Sequence, residues 1–523
     1  MKYINRLIIF LTLACLILSS LFLSGCGPAG PQREEGVYRI GDEEGDWGYP
    51  TPYAAYPRGP GLVRVTFAFD SLVWKDDQGF VPALAREWEH DQEGKVYTFQ
   101  LREGVTWHDG TPFTADDVVF TYEYMKEHPT NWADLSSVEE VVELEEHRVQ
   151  IQLEEADAAF LNNIAGVVHI IPRHIWEGVE DPADFRSPEA VIGTGPYKLK
   201  DYQREKGYYQ YEAFEDYYLG TPSFEELLML KVSEPQLAAQ RGDVNYVQVQ
   251  PEALDRMEGT NLEVIQGTHD WNLKLMFNHQ QSPFDQEEFR QALAHAIDLE
   301  RLVERALRGY GLPGSPGLIS PDSYWHNPDL PAYEYDLSRV EEILEGLGYR
   351  KEGQYFQEEG ETLSLELITS ADYAREGEIV REYLEEAGIQ VDLRSLERSI
   401  VDTRVQNWDY DLAINGHGGV GGDPANIDRF MVGEGSPHLN ARYNDPELVD
   451  KVKEQRKEME EERRREMVYQ VQEIYAEALP AYTLYYPSWY YAHDGRADLF
   501  FTHDGIGSGT PMPLNKLAFV EEE

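Results

Sequence analysis

The chain is poor in cysteine, in positive charge and in long apolar runs. Only two cysteines occur in 523 residues, Cys15 and Cys26. That scarcity excludes a disulfide framework and a zinc site built on cysteine. Lys and Arg number 45 against 96 Asp and Glu, a formal net charge of −51. A surface of that sign repels phosphate backbones, so nucleic acid is excluded as a partner. It also repels an anionic bilayer surface. It suits a salty medium, where screening shortens self-repulsion. Beyond Leu23 no apolar run approaches the roughly 18 residues of a membrane span. Catalytic signatures are missing as well: there is no G-x-x-x-x-G-K-S/T, no H-E-x-x-H and no G-x-S-x-G. His169 and His174 lie close in sequence but lack a third ligand of the usual kind. We therefore expect no enzyme, no catalytic residue, no metal and no cofactor. No repeat of about 20–50 residues is visible, which argues against solenoids and propellers.

What is present begins with an address. Met1-Lys2-Tyr3-Ile4-Asn5-Arg6 is followed by a mostly apolar run from Leu7 to Leu23. A basic start before an apolar stretch reads as a secretory signal. Leu23-Ser24-Gly25-Cys26 resembles a bacterial lipobox. Residues 1–25 are then a signal peptide, and Cys26 carries the lipid that holds the protein to the membrane. Two acyl chains anchor stably where one is marginal. Residues 26–35 are rich in Gly, Pro and Glu and read as a flexible tether. The expected location is extracytoplasmic, on the outer face of the cell membrane or in the periplasm.

The rest has globular composition, 41% hydrophobic and 27% charged. Its length fits roughly three lobes at ~150 residues each. Strand patterns fall at Leu62–Phe69, Val96–Leu101, Arg148–Leu153, Tyr197–Leu199, Tyr208–Ala213 and Asp270–Asn278. Thr114 with Asp117 three residues on reads as a capping box, before a helix carrying Val118, Tyr122 and Met125. Asp285 and Asp298 read as caps of two further helices. Leu363, Leu365 and Leu367 alternate; a helix closes at Gly388; Ile389, Val391 and Leu393 alternate again. That order is a βαβ unit and implies parallel pairing. Glu447 to Leu479 reads as one long charged helix, with Lys453–Glu466 as a solvated face.

Gly416-His417-Gly418-Gly419-Val420-Gly421 matches G-x-G-x-x-G after a strand. Gly422-Asp423-Pro424 follows instead of a helix, so a dinucleotide site is disfavoured. The better reading is a loop whose backbone approaches another group closely.

Several motifs converge on one family. Val81-Pro82-Ala83-Leu84-Ala85 leads to Trp107-His108-Asp109-Gly110-Thr111-Pro112-Phe113-Thr114-Ala115-Asp116-Asp117-Val118. Gly193-Thr194-Gly195-Pro196-Tyr197 follows, then Asn278, Pro283-Phe284-Asp285 and Arg290-Gln291-Ala292-Leu293. In this order the chain resembles the family 5 extracellular solute-binding proteins, the peptide- and nickel-type receptors of ABC importers. The resemblance implies an α/β, two-lobed fold like that of periplasmic binding proteins, with mixed sheets, flanking helices, an extra domain and a hinged ligand cleft. On this chain it places the first lobe in 36–66, 192–277 and 483–523, the extra domain in 67–191 and the second lobe in 278–482. The crossings near 277 and 482 would be the hinge.

The resemblance also implies a site. The loop Gly416–Asn426 aligns with one that in dipeptide-binding members carries the carboxylate pairing with the ligand's α-ammonium, which falls on Asp423. His417 stands where the family has Trp, and Val420 where it has Asp. His417 and Gly422 belong to the same loop. Trp271, Tyr49, Tyr56 and Arg58 are the further candidates to line the cleft, with Arg58 suited to a ligand carboxylate. Trp107, His108 and Asp109 read as structural. The implied function is a monomeric receptor that captures a short peptide and delivers it to a membrane permease and its ATPase subunits. The alternatives are the same scaffold binding an oligosaccharide or a nickel complex, or a secreted hydrolase.

Overall fold

The computed structural model describes residues 36–419, 422–433, 437–507, 509 and 511–521. The expected signal peptide, the lipidation site Cys26, the tether, and Val420 lie outside the described residues.

Three sheets carry the architecture. A seven-stranded sheet runs in the order Glu263–Gln266, Tyr490–His493, Tyr246–Val249, Val37–Asp42, Glu226–Lys231, Tyr208–Ala213, Tyr197–Gln203. It draws strands from both ends of the chain and from its middle. A four-stranded antiparallel sheet, Ala85–His90, Val96–Leu101, Arg148–Leu153, Val138–Glu145, packs with the helix Ala115–Glu127. Thr114 and Asp117 close the expected capping box on that helix. The third sheet has six strands, in the order Gly311–Pro313, Ala481–Pro487, Asn272–Phe277, Leu412–His417, Ser364–Ser370, Gln390–Leu396. Its last two strands pair in parallel around the helix Ala374–Glu386, which is the βαβ unit read from the leucine alternation.

Sheet membership shifts the crossings. Asn272–Phe277 is buried along its whole length. Leu273, Leu275 and Phe277 face a core with Phe289, Leu293 and Val380. Met276 faces the opposite core, with Val468, Val471 and Tyr475. A strand buried on both faces belongs in the middle of a sheet with helices on either side. It therefore sits in the second lobe, together with Ala481–Pro487, and the chain crosses at 267–271 and 488–489 rather than near 277 and 482. The crossings lie side by side. The Gly267 N–H donates to the Trp489 carbonyl at 2.7 Å. His269 Nε2 bonds Ser488 Oγ at 2.6 Å.

Three local expectations change. Leu62–Phe69 is not a strand; a helix occupies Gly59–Thr66, with Pro60 in its first turn. Gly61 to Thr66 are all buried, and a short apolar run buried all round has no period that separates strand from helix. The residue preceding the helix Glu287–His295 is Gln286, not Asp285, whereas Asp298 does cap Leu299–Leu307 by accepting the Arg301 N–H. The long charged helix is two, Pro446–Lys457 and Glu461–Ala478. Its charged face also hides buried groups, Gln455 and Arg464.

The motif Trp107-His108-Asp109 is structural, as expected. His108 Nε2 donates to the Gly195 carbonyl at 2.9 Å, and its Nδ1 accepts the Gly193 N–H at 3.2 Å. Burial pushes this imidazole down to about 4, so it stays neutral and keeps one nitrogen as acceptor. A Cβ at Gly193 would sit 1.9 Å from the Ala68 carbonyl oxygen, which explains the glycine in G-T-G-P-Y.

Candidate functional site

A cavity of about 260 Å3 opens where the two lobes meet. Arg58 reaches it from the first lobe. Trp271 reaches it from one crossing, and Tyr373, His417, Arg429 and Phe430 from the second lobe. Three expected site residues, Arg58, Trp271 and His417, are thus brought together although 359 positions separate the first from the last.

The second-lobe wall is built from aromatic contacts. Trp271 and Tyr373 lie with ring centroids 6.0 Å apart. The backbone of Gly416 passes under Trp271: a Cβ there would stand 2.1 Å from the indole. This is the close approach that the glycine-rich loop suggested. The His417 ring stacks on Phe430 at 3.7 Å with 9° between planes.

Behind His417 lies a group the sequence reading did not single out. Lys274 sits in the middle of the apolar strand Asn272–Phe277 with no surface exposed. Its ammonium donates to His417 Nε2 at 2.9 Å. That bond leaves Nδ1 to carry the proton of the neutral ring, and Nδ1 donates to the Gly418 carbonyl at 3.2 Å. Burial lowers both groups, Lys274 to about 7 and His417 well below the usual imidazole value, the latter also because Lys274 is beside it. Nearby, Asp270 is buried with one carboxylate oxygen unpartnered, and burial pushes it up to about 8.

Asp423 occupies a different place. Its two oxygens receive both terminal nitrogens of Arg464, at 3.0 and 2.6 Å, and Oδ1 also accepts the Ala425 N–H at 2.8 Å. Both partners are nearly buried. Arg464 further donates to Gln455 Oε1 at 3.1 Å and faces the Trp325 ring at 5.4 Å. The expected ammonium partner therefore serves as a strut behind the loop: a bidentate guanidinium already fills the carboxylate. Gly422 lies against the first lobe, where a Cβ would stand 3.1 Å from the Asp504 carbonyl oxygen.

Tyr49 and Tyr56 do not line this cavity. The Tyr49 hydroxyl donates to the Ser187 carbonyl at 3.0 Å, and its ring packs edge-on against Tyr202. Tyr56 is over half exposed, with its ring 6.0 Å from Trp47.

Arg429 also borders a second, larger chamber of about 840 Å3, between the four-stranded domain and the second lobe. Trp132 and Asn163 line one side of it, Asn426 and Arg456 the other. Arg456 also donates to both oxygens of the buried Asp157, at 3.1 and 2.8 Å. Among the described residues no three His, Cys, Asp or Glu side chains cluster as a metal site requires, and no helix is long and apolar enough to cross a membrane.

Two lobes joined by paired crossings, with an aromatic and cationic cleft between them, define a hinged receptor for a small solute. The chain belongs to the bacterial extracellular solute-binding proteins, family 5, whose family model matches residues 79–435. It is 27% identical over 515 residues to the oligopeptide-binding protein AppA of Bacillus subtilis (strain 168), covering 91% of this chain and 93% of that one. The structure of AppA from Bacillus subtilis in complex with a nonapeptide aligns with a TM-score of 0.74 at 22% identity, over 93% of this chain and 99% of that one. NikZ from Campylobacter jejuni in complex with Ni(L-His) aligns with a TM-score of 0.74 at 21% identity, over 91% and 98%. These structures share the two-lobed fold described above.

Proposed function

We propose that this protein is the lipid-anchored, extracytoplasmic receptor of an ABC importer for short peptides. It acts as a monomer and hands its solute to a membrane permease driven by separate ATPase subunits. The observation that carries the reading is the convergence of Arg58, Trp271 and His417 on one cavity between the lobes. The larger chamber beyond Arg429 gives an extended chain room to continue. Similarity to an oligopeptide-binding protein across nearly the whole length supports the same ligand class. The ligand-facing set is Arg58, Trp271, Tyr373, His417 and Arg429. Asp423 and Gly422 support it, the one by fixing the loop to Arg464 and the other by admitting the Asp504 backbone.

Function follows from closure. A solute bridging the wall at Arg58 and the wall at His417 favours the lobes-together state by its differential affinity for it. Micromolar capture needs only about 8 kcal/mol of net binding free energy. Charge-assisted hydrogen bonds and aromatic burial in a closed cleft are sufficient sources of it. Native mass spectrometry of the purified protein, followed by calorimetry with peptides of two to nine residues, tests the reading. A co-purified peptide, or binding tighter than about 10 μM for at least one length, is expected. A co-purified metal complex or sugar, with no peptide binding, would overturn it.

A further inference from the structure

Part of the charge run at 453–466 faces protein, not solvent. A cavity of about 390 Å3 lies between the four-stranded domain and the second lobe. Its carboxylates are Glu154, Glu155 and Asp157, which follow the strand Arg148–Leu153. Its bases are Lys453, Arg456 and Lys457, at the end of the helix Pro446–Lys457. In a chain of 96 acids and 45 bases, the two signs are sorted onto opposing walls here. Bases in a last helical turn suit the macrodipole and are ordinary by themselves. These also cross the gap. Besides its two bonds to Asp157, Arg456 accepts the Ala158 N–H on its carbonyl at 2.8 Å. Asp157 is 3% exposed, which shields its pair from screening. Lys457 reaches Glu155 at 2.5 Å, a pair exposed on both sides and so worth less. Beyond the helix, Met459 packs on the core of the four-stranded domain, and a Cβ at Gly94 would stand 2.5 Å from its sulfur. Arg456 also lines the 840 Å3 chamber, so the bridge has a cavity on either side of it.

We propose that this contact is a clasp, which holds the four-stranded domain against the second lobe before any solute arrives and so biases the receptor toward its lobes-together state. The inference rests on the hinged-receptor reading, not on the ligand being a peptide. His108 ties the four-stranded domain to Gly193 and Gly195, at the start of a strand of the seven-stranded sheet. The domain therefore moves with the first lobe, and the clasp must part when the cleft opens. A solute that needs the lobes together meets a larger competent fraction when the clasp is intact. Its apparent affinity rises with that fraction, whatever its chemistry.

Small-angle X-ray scattering of the ligand-free protein tests this. Asp157→Asn removes the charge, and its amide oxygen can still accept the Ala159 N–H that the carboxylate accepts at 3.0 Å. Arg456→Gln cuts the same bond from the other side. Arg456 is 39% exposed, so losing its partner leaves it hydrated and the fold intact. Each change is expected to raise the radius of gyration by about 1 Å, against the ~24 Å of a compact chain of this length. The two together should add nothing beyond either alone. A wild type that already has the larger radius, or variants within about 0.3 Å of a compact wild type, overturns the clasp. Calorimetry with peptides of two to nine residues reads the linkage. Asp157→Asn should weaken every peptide that binds by one common factor of at least about threefold. Unchanged affinity, or a loss confined to the longest peptides, overturns it, because Arg456 would then be serving the ligand and not the lobes. If no peptide binds, the peptide reading fails, and the scattering comparison, made without ligand, still decides the clasp.

Discussion

Replacing Asp423 by Asn separates support from recognition at the loop. The wild-type carboxylate meets Arg464 through two hydrogen bonds, with side-chain exposures of 12% and 6%. Asn keeps the shape and can still accept the Ala425 N–H, but it leaves the guanidinium without a counter-ion. Removing one member of a buried pair costs about 3–5 kcal/mol. Arg464 retains Gln455 and the Trp325 face, which places the expectation at the lower end, about 3 kcal/mol. For a unit the size of the second lobe each kcal/mol moves Tm by about 2–4 °C, so a drop of about 6–12 °C is expected. Scanning calorimetry reads it. Replacing both partners with apolar residues, Asp423→Leu with Arg464→Met, should recover most of the loss, because the isolated charge and not the absent pair is the penalty. Ligand affinity measured well below the transition should fall by less than about threefold. A Tm within 2 °C of wild type combined with a tenfold or greater loss of affinity would refute the strut and return Asp423 to the ligand.

Two further outcomes follow from the same wall. Gly416→Ala places a methyl where Trp271 lies, 2.1 Å from the indole; the ring must move, and a changed tryptophan emission with at least a tenfold loss of affinity is expected, read by fluorescence titration. Lys274 makes stability depend on pH. Its folded value is held down at about 7 against 10.5 when unfolded, so between those values the unfolded chain binds a proton that the folded chain does not. Stability attributable to this residue therefore rises with pH from about 7 to about 10.5, and the deficit is complete below 7. Lys274→Met should gain at least ~2 kcal/mol at pH 7 and converge on wild type near pH 10.5 in urea unfolding, since each pKa unit is worth about 1.4 kcal/mol. Parallel stability curves would show that the ammonium is not buried as described.

Much of this was legible before any coordinates. The βαβ unit, the capping box at Thr114 and the close approach at Gly416 follow from local period and local chemistry. The structural role of His108 was legible too, through the motif that carries it. What escaped is non-local. Arg398 and Arg429 belong to different segments, and nothing in their neighbourhoods says that they meet Arg58. Asp423 and Arg464 are 41 positions apart, so a carboxylate in a conspicuous loop looked free for a ligand while its partner hid in a charge run. The helix Gly59–Thr66 was hidden by burial on every side, which erases the period. One signal was present and unused: a lone Lys inside Asn272–Phe277, where every neighbour is built for a core.

The paired crossings carry a consequence for how such a receptor changes over generations. With its two connections a hydrogen bond apart, at Gly267 and Trp489, the stretch 272–487 is a cassette whose ends meet. It can be exchanged, or the chain reopened elsewhere within it, without re-threading the first lobe, which is stitched from separate stretches. Tyr373, His417, Arg429 and Phe430 all lie inside that cassette, and Arg58 faces them from outside. New ligand chemistry can therefore be tried on one uninterrupted piece of gene while the first-lobe frame is left alone.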